Sequence, residues 1–323
     1  MCTAVSWQAY RHYFGRTLDL EYTYAEQVVI TPRRFPLPYH HLPQDEQHHA
    51  IIGIATVMDG YPLYYDAVNE YGLAMAGLNF VGNAVYAVPQ DGAVNVAQFE
   101  LLPYILGRCR TVAEARRTLA EIRVTDTAFS AELPTAQLHW MLADAQACVT
   151  LEITADGMQL YDNPVGVLTN NPPFPYQQWH LTQLRRLDAA EGDNTLAPNA
   201  PLRPHSHGTG AVGMPGDLSS SSRFVRAAFA RAHAVKSNDE PTAVSQFFHI
   251  LGNVWQTEGC VITNHGCERT QYASCCNTHD GIYYYRTYHN SRTTAVCLRH
   301  TDLDARTLTT FPLRTNEMML CEN

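Results

Sequence analysis

The stretch IIGIATVMDGYPLYYDAVNEYGLAMAGLNF, residues 51–80, decides the fold. It holds three apolar runs rich in β-branched and aromatic residues: IIGIATVM, YPLYYDAV and LAMAGLNF. Asp59-Gly60 separates the first two with the dipeptide of a tight hairpin, and Glu70-Tyr71-Gly72 turns the chain again. Parallel strands need a crossover of roughly a dozen residues or more, and these gaps leave no room for one. The stretch therefore reads as three consecutive antiparallel strands at the centre of a sheet, not as a βαβ unit.

The same reading extends outward. Upstream, residues 3–19 form two short strands and a turn. Val28-Val29-Ile30 is a β run stopped by Thr31-Pro32, and a Pro- and His-rich loop follows over 35–50. Downstream, the period changes to helical in AQFELLPYILGRC and TVAEARRTLAEI, with Thr111 and Glu114 spaced as a capping box. Strands resume in QLHWMLAD, ACVTLEIT, GMQLYD and VGVLTN. Helices are predicted over 176–188, 222–235 and 242–252, and strands again between 270 and 298. The order strands, helices, strands, helices, strands fits an α+β protein. We expect a four-layer αββα sandwich of two antiparallel sheets with helices on the outer faces. No clean break divides residues 1–323, so one catalytic domain is expected. The Pro-, Gly- and Asn-rich segment 189–218 reads as a projecting loop or hairpin used in assembly.

Of the 323 residues, 46% are hydrophobic and 16% charged, enough apolar material for a large core. The net charge of −9 and the absence of a basic run argue against nucleic acid. No apolar run is long enough to span a membrane, and the N-terminus lacks the parts of a signal peptide. A cytoplasmic, reduced protein is expected. The nine cysteines are irregularly spaced, unlike a disulfide framework. Cys260, Cys267, Cys275 and Cys276 with His265 and His279 lack the paired spacing of a zinc site, so no metal is expected and most thiols should pack as small hydrophobes.

Met1 precedes Cys2, a small residue of the kind that permits removal of an initiator Met. The mature chain would then carry a thiol and a free α-amine on one residue. Their ordinary pKa values, about 8.5 and roughly 7.7–8.0, let the amine take the thiol proton near neutral pH. This unites nucleophile and base, the N-terminal variant of an activated nucleophile. Four more stretches suit acyl transfer: GRTLD with Arg16 and Asp19, AGLNF with Asn79, VLTNNP with Asn170, and PGDLSSSSRFVR with Arg223. An Asn side chain offers N–H donors to an oxyanion without adding charge, which suits Asn170. Asn79 has a backbone N–H for the same purpose and a side chain for the substrate. Asp19 is suited to hold the α-ammonium, and Arg16 and Arg223 to favour thiolate. Arg16 and Asp19 lie three apart on an extended stretch and need not touch. None of the histidines, His139 and His249 included, has a partner by spacing, and no histidine base is required.

MCT, FGRTLD, AGLNF, VLTNNP and S-R-F-V-R together, in this order over nearly the whole chain, resemble the choloylglycine hydrolase family of N-terminal nucleophile hydrolases. The resemblance implies Cys2 as nucleophile, Arg16 and Asp19 as the charged pair beside it, Asn79 and Asn170 at the oxyanion site, and Arg223 as the buried arginine. In VLTNNP it aligns Asn170, not Asn171, with the functional asparagine. It implies no cofactor, a homotetramer, and conjugated bile acids or penicillin V as substrate. Asn79, where penicillin acylases of the family tend to carry Tyr, favours bile salts. More distant alternatives are an acid ceramidase-like enzyme, an acyl-homoserine-lactone amidase, or a protein that keeps the fold without activity. A steroid body needs an apolar, aromatic pocket. Leu20, Tyr22, Tyr24, Met58, Tyr61, Phe129 and Leu133 are the loop residues expected to line it.

Overall fold

A computed structural model describes residues 1–323. Its strands are β1 (Cys2–Gln8), β2 (His12–Leu20), β3 (Gln27–Thr31), β4 (Ile51–Met58), β5 (Tyr61–Asn69), β6 (Ala74–Asn79) and β7 (Val94–Ala97). Helices α1 (Leu101–Arg108) and α2 (Val112–Glu121) lead to β8 (Ile122–Thr125), β9 (Leu138–Ala143), β10 (Cys148–Thr154), β11 (Gly157–Asp162) and β12 (Val167–Leu168). Helices α3 (Phe174–Gln183), α4 (Ser220–His233) and α5 (Glu240–Gly252) follow. The last strands are β13 (Val261–Thr263), β14 (Gly266–Asn277), β15 (Ile282–Thr287), β16 (Asn290–Cys297) and β17 (Thr309–Pro312).

The β4–β5–β6 meander lies inside an eight-stranded antiparallel sheet ordered β11-β10-β9-β6-β5-β4-β3-β17. The second sheet is ordered β12-β1-β2-β14-β15-β16, with β13 added to β14. Sheet faces meet where β1 and β2 pack on β6. Helices α4 and α5 cover the outer face of the second sheet, and α1 covers that of the first. Two apolar cores result. One, with Val5, Phe14, Ile52, Ala76, Phe224 and Phe247, fills the inter-sheet space and the α4–α5 layer. The other, with Met75, Leu101, Ile105, Leu119 and Trp140, lies under α1 and α2. The α+β sandwich expected from the element order is present, and no helix is long and apolar enough to cross a membrane.

Three local expectations are corrected. Thr111 Oγ1 accepts from the Glu114 N–H at 3.2 Å, but the Glu114 carboxylate accepts from Arg110 N–H rather than from Thr111, so the box is displaced by one residue. Helix α3 starts after Pro173 and ends five residues before 188. Strands β7 and β8 form a parallel pair, and β17 closes the edge of the first sheet beside β3. Both rest on long-range pairing that short polar-apolar runs do not announce. All nine cysteines are free thiols; Cys2, Cys109, Cys275 and Cys276 are buried and Cys148 packs against the core, so most pack as small hydrophobes as expected, whereas Cys260, Cys267 and Cys321 are exposed. Asp188 N–H donates to Gly210 O at 3.0 Å and closes residues 189–209 into a loop, and segment 189–218 exposes Leu196, Leu202 and Val212.

Gly15 on β2 is required by close approach. A Cβ there would fall 2.0 Å from the carbonyl oxygen of Ser274 on β14. The two strands must separate to admit it, and β2 carries the site described next. Gly15→Ala is expected to lower the unfolding free energy by about 1–3 kcal/mol, the usual cost of overpacking. Urea denaturation measures this, and an unchanged midpoint would show that the strands part without cost.

Candidate active site

The alternation of β2 sorts its charges onto opposite faces. Arg16 points between the sheets, where one terminal nitrogen donates to Tyr65 O at 3.1 Å and Gly77 O at 2.5 Å. Asp19, an odd number of residues away, shares the other face with Thr17. Its carboxylate accepts from Thr17 Oγ1 at 3.1 Å and from Thr270 Oγ1 at 2.7 Å. Both side chains are fully buried, yet they are not an ion pair with each other.

Cys2 pairs with Leu18 across the β1–β2 ladder and is 2% exposed. Its backbone N–H donates to Asn170 Oδ1 at 2.8 Å. Arg223 donates to the same oxygen at 2.8 Å and also to Cys2 O at 2.5 Å, Thr3 Oγ1 at 2.7 Å and Leu218 O at 3.1 Å. Asn170 Nδ2 donates to Asn79 O at 2.8 Å. Because Oδ1 receives two N–H donors, the amide orientation is fixed, and Nδ2 keeps a second hydrogen free. Cys2, Asn79, Asn170 and Arg223 are thus one hydrogen-bonded unit drawn from four distant stretches. Asn171 is exposed and donates instead to Val81 O at 2.7 Å.

Local structure explains the placement. The Ser run becomes the start of α4, with Ser219 capping the helix through Ser222 N–H. Ser220 Oγ accepts from Asn170 N–H at 2.8 Å, so the helix start fixes the asparagine backbone. Arg223 sits one turn into α4, facing β1. Burial pulls the Arg223 guanidinium below its ordinary pKa, opposed by the negative charges of Asp19, Cys2 and Glu268. Burial acts on Arg16 in the same direction, but the Cys2 thiol, Tyr272, Asp66 and Asp19 outweigh it and hold Arg16 above its ordinary value. A second terminal nitrogen of Arg16 is buried with no partner, leaving a free donor there.

Three features were not legible in the sequence. Asp66 lies behind Arg16 and accepts from Tyr272 at 2.8 Å, from Ser274 at 2.9 Å and from Tyr283. Burial pushes its carboxyl up, against the pull of Arg16 and the three hydroxyls. His139, read from spacing as partnerless, is fully buried between Glu152 Oε1 at 3.1 Å and Thr169 O at 2.8 Å. It also stacks on Phe80 with ring centroids 4.3 Å apart, so it braces the residues next to both Asn79 and Asn170. Glu268 binds the chain's own N-terminus. Its Oε2 accepts from the Met1 α-ammonium at 2.8 Å. All three pairings join residues far apart in sequence or on neighbouring strands, beyond the reach of a spacing rule.

The residues expected to line a substrate pocket fall into two groups. Leu20 ends β2, and Tyr22 and Tyr24 follow it, exposed, with their hydroxyls 3.0 Å apart. Thr56 donates to Tyr24 O at 3.0 Å, joining this loop to the β4–β5 hairpin that carries the exposed Met58. Tyr61, at the other end of that turn, is buried. Its ring lies 5.6 Å from Phe99 and 5.9 Å from Phe129, in the α1-side core. Leu133 is half-buried in the same loop as Phe129, its N–H donating to Ser130 Oγ at 3.2 Å.

Comparison with known proteins shows the family and the fold. Residues 2–311 match the model of the linear amide C–N hydrolases, choloylglycine hydrolase family. The chain is 45% identical to a bile salt hydrolase/transferase of Lactiplantibacillus plantarum, over 100% of both chains. It is 32% identical to a bile salt hydrolase/transferase of Clostridium perfringens, over 96% of both. Among solved structures, a mutant of the Clostridium perfringens conjugated bile acid hydrolase superposes with a TM-score of 0.92 at 31% identity over both full chains. A penicillin V acylase of Agrobacterium tumefaciens shares the fold, with a TM-score of 0.77 at 19% identity over 98% of this chain and 92% of that one. The chain is an amidase with the N-terminal nucleophile hydrolase fold, and it belongs to the choloylglycine hydrolase family.

Proposed function

We propose that this amidase cleaves the bond joining a bile acid to glycine or taurine, through a Cys2 thiolate in a chain from which Met1 has been removed. The observation that carries the chemistry is the unit formed by Cys2, Asn170 and Arg223, in which the backbone nitrogen of Cys2 is held 2.8 Å from the Asn170 amide. The substrate class is supported by full-length identity of 45% to a bile salt hydrolase/transferase and by Asn79 at the position discussed above.

Loss of Met1 turns the held nitrogen into a free α-amine. The amine takes the thiol proton, and Sγ attacks the amide carbonyl carbon. The oxygen that becomes negative is met by the free hydrogen of Asn170 Nδ2 and by the Asn79 backbone N–H. Such preorganised donors act most strongly where water is excluded. The α-ammonium then gives its proton to the leaving nitrogen, the C–N bond breaks, and glycine or taurine departs. Water, deprotonated by the same amine, attacks the thioester and regenerates the thiol. Arg223 positions Cys2 and Asn170, and Arg16 brings positive charge to the thiol side. Segment 189–218, with Leu196, Leu202 and Val212 exposed, fits the assembly role proposed for it in a homotetramer.

Intact-mass analysis of active protein should show Met1 absent, since only a free amine can act as the base. Cys2→Ala should be inert and Cys2→Ser nearly so, with the fold unchanged by circular dichroism. Appreciable turnover by Cys2→Ala would assign the nucleophile elsewhere.

Removing one oxyanion donor costs about 10²–10³ in kcat. Asn170→Ala should show a loss of that size, and Asn171→Ala a much smaller one, because the Asn171 side chain donates to Val81 O in the loop after β6 and not to the Cys2 network. The opposite ranking would exchange the roles of the two asparagines.

A steroid offers far more apolar surface than a phenoxyacetyl group, at about 25 cal/mol per Å² buried. We expect kcat/KM for glycocholate or taurocholate to exceed that for penicillin V by about tenfold or more, which is about 1.4 kcal/mol in the transition state. Equal or faster turnover of penicillin V in side-by-side assays would make this a penicillin V acylase instead.

A further inference from the structure

Glu268, on β14, takes no part in the reaction sequence described above. Its side chain is 6% exposed, and its one charged partner is the Met1 α-ammonium, which also donates to Asp19 O at 2.5 Å. Glu268 Oε1 is buried without any partner. Two residues on, Thr270 donates to Asp19 and receives the backbone N–H of Gln256 at 2.8 Å. Gln256 is fully buried, yet neither polar atom of its side chain is paired. This side of the N-terminus therefore has a built ammonium site with unused hydrogen-bonding capacity around it.

We propose that Glu268 is a positioning residue for the catalytic α-amine: in the chain that starts at Cys2, its carboxylate takes up the ammonium form of that amine as it takes up that of Met1 here. The proposal rests on the N-terminal nucleophile reading above. Removing Met1 strips a buried carboxylate of its counter-charge, which is unfavourable unless another cation replaces it. The same cut creates a new ammonium at the Cys2 nitrogen. Standard backbone dimensions put successive backbone nitrogens about 3–4 Å apart, so one water or a small shift of the terminus restores the pair.

The charges around the terminus come from several elements. Arg16 and Asp19 lie on β2, Glu21 just after it, Arg223 on α4, and Glu268 on β14. Burial raises the Glu268 carboxyl, while the terminal ammonium opposes that rise. Arg16 and Arg223 favour loss of a proton from the amine–thiol pair, and Glu268 with Asp19 favours its retention. Removing the Glu268 charge therefore lowers the pH at which the pair becomes active, whichever of the two groups holds the last proton.

The test uses Glu268→Gln and Glu268→Asp in the full chain, each released from an N-terminal fusion by a protease that leaves Cys2 first. Intact mass confirms the terminus and circular dichroism the fold. The pH dependence of kcat/KM for glycocholate is read beside that of Cys2 alkylation by iodoacetamide, followed on the Cys2 peptide. Both acid limbs of Glu268→Gln should move down by roughly half to one pH unit, with Glu268→Asp between it and the wild type. Limbs that coincide with the wild type, or move up, overturn the proposal. Where Glu268→Gln does not fold, the Glu268→Asp limb decides: a downward move supports the role and an unmoved limb removes it. Hydrolysis by Cys2→Ala would instead sink the nucleophile reading, whereas an inert Cys2→Ala with unmoved limbs removes only Glu268.

Discussion

The arrangement depends on one buried guanidinium. Arg223 is fully shielded from water, and neutral oxygens solvate it in place of a carboxylate: Cys2 O, Thr3 Oγ1, Asn170 Oδ1 and Leu218 O. A charge taken out of water is tolerated only when its donors are met, so these four oxygens are held where the fork reaches them. Three separate pieces of chain are thereby fixed relative to one another: the start of β1, the turn after β12, and the start of α4. The placement of Cys2 and of Asn170 follows from that constraint.

The second constraint is the stacking of the sheets. Arg16 can lie between them because β5 and β6 present the Tyr65 and Gly77 carbonyls to it, and because Asp66 carries a negative charge behind it. Asp66 is itself held by three hydroxyls from β14 and β15. The positive charge beside Cys2 is thus anchored in both sheets at once. On the opposite face of β2, Asp19 and Glu268 supply negative charge to the terminus. Positive charge from Arg16 and negative charge from Asp19 thus leave β2 on opposite faces.

Much of this was legible in the sequence because it is local. The Asp59-Gly60 and Glu70-Tyr71-Gly72 turns set the antiparallel meander, and the three-residue spacing of Arg16 and Asp19 gave no reason for them to touch. The asparagine choice in VLTNNP followed from the family resemblance, and the structure shows its physical counterpart: Asn170 is buried in the Arg223 network while Asn171 faces out. Tyr61 shows where such reading stops. An aromatic residue at a hairpin turn looked free to meet a ligand, but its ring is packed against Phe99 and Phe129 in the core. His139 failed in the other direction, since its partners lie on β10 and after β12 rather than at helical or strand spacing.

The sequence by itself determined the α+β class and the hairpin order, because both are written in turn dipeptides and in the period of neighbouring side chains, and it nominated the residues suited to acyl-transfer chemistry. Only the tertiary structure decided which of those residues touch, which faces they occupy, and which unmarked groups support them. Asp66, His139 and Glu268 carry no local signature. Their roles arise because burial leaves a charge or a hydrogen bond that must be met, and the group that meets it is chosen by proximity in space rather than along the chain.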